Sequence, residues 1–316
     1  MVGRRPKSLR RARLYGSILH VTGAKMSVKN CVALGRCFIA VSVVALTLGT
    51  DKVQGSVVND PAFFTGTLGA NDDGSTGLVP IGFTIDFFGT DYSSLYVNNN
   101  GNVTFTGPLS TYTPFGLIGT LTPIIAPFFA DVDTRGAGSG LVHYGTGTYA
   151  GHDAFAVTWG DKVGPGVGPG VGYFPSATDK LNKFQLILVE RADTGVGNFD
   201  IYFQYDQIQW ETGDASGGSG GLGGASAVAG YSNGSSASLQ IAGSDVDGGL
   251  LDTNLATGLK NNSNVGLPST FIYTARAGTV AGGDGAAPEP AAFLVWGVLA
   301  LAFGGVMTRC RPAIVA

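Results

Sequence analysis

Apolar and polar residues alternate with a period of two along much of the chain. Ile81, Phe83, Ile85 and Phe87 fall on one face, with Gly82, Thr84 and Asp86 on the other. Phe155, Val157 and Trp159 alternate in the same way, as do Phe184, Leu186 and Leu188, and then Phe199, Ile201, Phe203 and Tyr205. Leu95 to Phe105 (LYVNNNGNVTF) reads as two short strands around Asn100–Gly101, the strongest short-range hairpin signal. Residues 56–277 sustain no run of apolar residues at i, i+3, i+4 and i+7 with caps. The pattern predicts an all-β fold: one antiparallel, β-sandwich-like domain, each sheet burying one face and turning polar side chains outward. Gly164–Gly172 (GPGVGPGVG) and Asp214–Ala225 (DASGGSGGLGGA) read as long, flexible, Gly-rich loops between strands.

Two apolar runs bracket this body. Cys37–Gly49 is a 13-residue run preceded by nine Lys or Arg within residues 1–36, where there is no acid. A basic stretch before an apolar run of ~7–15 residues is the pattern of a secretory signal. Residues 1–55 are therefore expected to be a signal peptide, with Met26 a possible true start and the mature chain beginning near Ser56. After a small-residue linker, 278–287, comes Ala291–Met307, 17 residues long and followed by Arg309 and Arg311. A spanning helix wants ~20 residues, so this segment is a short membrane-helix candidate with its arginine end in the cytoplasm. Pro288–Glu289–Pro290, the apolar segment and the arginines, over 288–312, together resemble the PEP-CTERM sorting signal of exported bacterial proteins. The resemblance implies an exosortase-type processing enzyme as a partner, and transient or permanent membrane attachment through the C-terminal helix; a simple tail anchor is the alternative.

Composition narrows the function. Glycine makes up 51 of 316 residues without a three-residue period, which excludes collagen. Residues 56–287 carry 20 acids against seven bases, a net −13 that repels nucleic acid. That span has no cysteine, which removes Cys-based zinc sites, iron–sulfur clusters and cysteine nucleophiles from it.

Several motifs in order carry a second resemblance. LYVNNNGNVTF (95–105), IAPFFADVDT (125–134), FQLILV (184–189), FQYDQIQWETGDAS (203–216) and Ala229–Gly230–Tyr231 resemble the NIDO domain, the extracellular domain of nidogen, alpha-tectorin and some membrane mucins. The resemblance covers about 78–276, and Phe128–Phe129 stands where the family more often has Phe-Trp. It implies a non-enzymatic extracellular module associated with cell–matrix adhesion, with extracellular polysaccharide or matrix protein as partner.

Individual residues suggest chemistry that competes with plainer roles. Asp131 and Asp133 bracket Val132, so in a strand both carboxylates would leave one face and could share Ca²⁺; each could equally cap a turn. Asp72–Asp73–Gly74 and Asp245–Val246–Asp247–Gly248 read as turns. Trp210, after a strand and before a Gly-rich loop, is a candidate sugar platform or a core residue. His143 and His152 lack metal-motif spacing and read as solvated loop residues. Two G-x-S-x-G matches, at Ser219 and Ser232, have no later histidine, as a hydrolase triad in that order requires. The expectation is an exported bacterial surface or matrix protein without catalysis. The alternative is an anchored carbohydrate-binding or carbohydrate-cleaving protein, whose mark would be an exposed Trp159 or Trp210 beside two carboxylates.

Overall fold

A computed structural model describes residues 55–161, 169–175 and 179–282. Among the described residues thirteen strands form two antiparallel sheets. The seven-stranded sheet runs β1 (Gly66–Leu68), β6 (Val142–Tyr149), β7 (His152–Trp159), β8 (Lys183–Glu190), β9 (Phe199–Gln207), β12 (Thr270–Arg276) and β13 (Thr279–Gly282). The six-stranded sheet runs β11 (Ser238–Gln240), β10 (Val228–Asn233), β5 (Pro123–Phe129), β4 (Asn102–Thr104), β3 (Thr90–Asn98) and β2 (Val79–Phe87).

The alternating faces read from sequence meet between the sheets. Ile81, Ile85, Phe87, Leu95 and Val97 from one sheet pack with Phe155, Val157, Trp159, Leu186, Phe203 and Tyr205 from the other. Tyr205, fully buried, donates its hydroxyl to Pro127 O at 2.8 Å, tying β9 to the end of β5. Burial here holds its phenol well above the ordinary range.

The expectation of solvated outer faces fails on both sheets. Residues 55–64, ending in a 3-10 helix (Pro61–Phe64), cross the outside of the seven-stranded sheet. Phe63 packs there on Ala154, Ala156, Ile187 and Val189. Val58 N–H and C=O bond the Gln185 side chain at 2.9 and 3.0 Å, and Val57 N–H donates to Asp206 Oδ1 at 2.8 Å. Outside the other sheet the β4–β5 connection contributes Leu117, Leu109 and Phe115 against Ile124, Phe129 and Val228. Central strands are thus apolar on both faces because connecting segments cover them.

One expected boundary shifts, and one loop read as flexible is ordered. Residues 279–282, expected as the start of a linker, are β13 and pair with Tyr273–Arg276 of β12. Asp214–Ala225 is packed: it holds a 3-10 turn at Asp214–Ser216, and Ala225 N–H bonds Ser216 O at 3.0 Å. Glycines make this possible, since a Cβ on Gly224 would lie 2.4 Å from Ser216 O. The signal segment and the sorting tail, with Pro288, Glu289, Pro290, Arg309 and Arg311, lie outside the described residues. Among the described residues no helix is long and apolar enough to cross a membrane.

Candidate functional site

The site is built on the β3–β4 hairpin. Asn100–Gly101 makes the turn, with Gly101 at φ +75° and so close to the neighbouring chain that a Cβ would sit 1.7 Å from Phe128 O. The three asparagines before it are buried, and amides buried in this way need partners on every side. Asn99 Nδ2 donates to the carbonyls of Asp72 and Val132. Asn100 accepts Val132 N–H at 2.9 Å and donates to Asp73 Oδ1 at 2.9 Å and Thr111 O at 3.2 Å. Thr134 Oγ1 donates to Asn71 O at 2.8 Å. The hairpin therefore fastens the loop at 71–73 to the loop at 130–134, which lie some 60 residues apart in sequence.

Carboxylates are brought together by this stitching. Oxygens of Asp72, Asp73 and Asp131 lie within 4.8 Å of one another. Asp131 is 4 % exposed and has Ser216 Oγ at 3.5 Å. Gly213 closes over it, where a Cβ would stand 2.3 Å from Asp131 Oδ2. Burial, then the charges of Asp72 and Asp73, push the Asp131 carboxyl up to about 7, against hydrogen bonds from Ser216. Burial also raises Asp72, reinforced by Asp133 and Asp73 and opposed by Arg135. An all-oxygen, carboxylate-rich set is what Ca²⁺ or Mg²⁺ selects.

The expected Asp131–Asp133 pair is divided. β5 ends at Phe129, so alternation along a strand no longer governs residues 131 and 133. Asp133 instead accepts from Arg135, its backbone N–H at 2.9 Å and its guanidinium at 2.6 Å, and Arg135 reaches on to Asp72 at 2.8 Å. Asp72 and Asp73, read from sequence as turn formers, are the residues that join Asp131. Nothing local marks them, because their partner lies across the fold.

Trp210 is enclosed. Its Nε1–H donates to Val171 O at 3.1 Å, and its ring meets Phe128 edge-on at 5.8 Å and Tyr173 at 5.6 Å. Trp159 is equally buried, stacked on Phe184 at 5.0 Å with Nε1–H on Asn99 O at 3.0 Å. Neither indole presents a face to a sugar, so the mark of the carbohydrate alternative is missing and Trp210 is a core residue.

Both described histidines stand on strands, not in solvated loops. His143 on β6 bridges Thr67 Oγ1 and Asp161 Oδ1, each at 3.0 Å. Thr67 is its direct cross-strand partner, so this row of bonds fastens the three-residue edge strand β1. His152 on β7 lies 3.8 Å from Asp193.

Glu211 lies within the motif FQYDQIQWETGDAS, but its role was not legible in the sequence. Its buried carboxylate accepts Gly248 N–H at 2.7 Å and also Leu250 N–H, clamping the β11–β12 connection onto the end of β9. Burial pushes it up to about 7, against those backbone donors.

Comparison with known proteins follows the same span. The model of the nidogen-like domain family (NIDO) matches residues 93–277, more than half of the chain. Mouse alpha-tectorin is 34% identical over 187 residues, covering 52% of this chain and 8% of that protein. Drosophila nidogen is 27% identical over 242 residues, 67% of this chain and 16% of that protein. The chain thus matches less than a fifth of the length of these relatives. No solved structure matches it significantly.

Proposed function

Because the chain belongs to the nidogen-like domain family, we propose that it is an exported bacterial module of the cell surface or extracellular matrix. It acts by noncovalent adhesion and not by catalysis. The family match over the β-sandwich is the observation that carries this reading. The signal segment directs export, and the Pro288–Glu289–Pro290 tail delivers the domain to an exosortase-type enzyme, with Ala291–Met307 as the membrane segment in transit.

Within that role the Asp72–Asp73–Asp131 end holds a divalent cation, best Ca²⁺, since three clustered carboxylates with one deeply buried gain most from a hard dication. The cation would bridge an acidic domain to acidic polysaccharide or to a matrix protein. Fractionation of the native host with intact-mass measurement tests the proposal. The expected form lies outside the cell, starts near Ser56, ends near Pro290 and is released from the matrix by EDTA. A full-length intracellular form would overturn export and sorting. Retention unchanged by EDTA would overturn the cation bridge alone.

A further inference from the structure

The two sheets part along one side, where the edge strands β11 and β13 face each other across a pocket of about 390 Å³. Its floor is Leu239, Ile241, Phe271 and Tyr273, and Ala242 and Ala256 stand exposed on its lining. We propose that this pocket is a binding site for a small, uncharged, mainly apolar molecule that carries one hydrogen-bonding group. The site lies apart from the acidic end of the domain, and the inference does not depend on the matrix role.

Three observations carry it. The volume falls within the ~300–1,000 Å³ of small-molecule sites. None of the lining residues is charged, although residues 56–287 carry a net −13, so the lining favours neutral ligands over ions. Third, Tyr273 lines the pocket and is 2 % exposed, and among the described residues its hydroxyl is not one of the buried side-chain atoms left without a partner. Its ring is held edge-on by Phe203 and Tyr231, with centroids 5.6 and 5.2 Å away. Water reaching that hydroxyl from the pocket can be replaced by a polar atom on a bound molecule, which keeps its hydrogen bond.

The lining is also fixed in advance. Asn264 mimics a strand by donating to Ile272 O at 2.7 Å and accepting Ile272 N–H at 2.9 Å. Thr257 Oγ1 donates to Gly249 O at 2.6 Å. Glu211 holds the same connection from below through Gly248 and Leu250. A preformed wall spends little ordering entropy on binding.

The neutral dye N-phenyl-1-naphthylamine, which brightens in apolar surroundings, is the probe, titrated into the full chain. Ala256→Trp fills the mouth from an exposed position, so it leaves the fold intact and separates pocket binding from any dye on the apolar termini. We expect a saturable signal in the unsubstituted protein that Ala256→Trp abolishes. Benzyl alcohol should displace the dye about fivefold less well in Tyr273→Phe, the loss of one neutral hydrogen bond, while toluene is unaffected. Dye binding that is equal with and without Ala256→Trp overturns the site. An unchanged benzyl alcohol response in Tyr273→Phe overturns the role of the hydroxyl.

Discussion

At the scale of single residues, glycine and asparagine make the loop end of this domain. Gly101 meets two demands at once, a left-handed φ and a backbone approach that leaves no room for Cβ. Gly89, at φ +81° with open space around it, meets only the first. Gly101→Ala is therefore expected to cost about 3 kcal/mol or more, against about 1 kcal/mol for Gly89→Ala. Urea unfolding of the two variants checks this, and equal losses would mean that the approach to Phe128 contributes nothing. The turn at Asn100–Gly101 was legible in the sequence. The work of Asn99 and Asn100 was not, because their partners, Asp72, Asp73 and Val132, lie 27 to 33 residues away.

At the scale of elements, the strands appeared where alternation placed them, and the covering of their outer faces did not. In FQLILV the alternation marks only Phe184, Leu186 and Leu188 on one face, while Ile187 and Val189, beside Gln185, make the other face apolar as well. What covers β7 and β8 is the segment 55–64, whose Phe63 is fully buried. Phe63→Ala should lose about 3–5 kcal/mol by leaving a cavity on the outer face. A loss under about 1 kcal/mol in calorimetric or denaturant unfolding would show that this segment is not part of the cooperative unit. Trp210 illustrates the converse. Its place between a strand and a glycine loop allowed either a surface platform or a core residue, and the packing of Phe128, Tyr173 and Val171 around it makes it core.

At the scale of the molecule, the acidic balance and two buried carboxyls set the response to pH. Asp131 and Glu211 both rise to about 7, mainly through burial, while in the unfolded chain they titrate near 4. Between these values the metal-free folded state binds more protons than the unfolded one, so its stability falls as pH rises from about 4 to 7. With EDTA present, denaturation midpoints at pH 4.5, 5.75 and 7 should decline in that order, and Glu211→Gln should make the decline shallower. A stability that rises across the window would contradict the burial argument. The sequence by itself determined the all-β antiparallel architecture, the family and the acidic, cysteine-free body, because alternation, composition and ordered motifs are local properties. Only the tertiary structure decided which carboxylates gather, which tryptophans are hidden, and that a pocket opens between β11 and β13. Each of these depends on contacts between positions distant along the chain, about which local pattern carries no information.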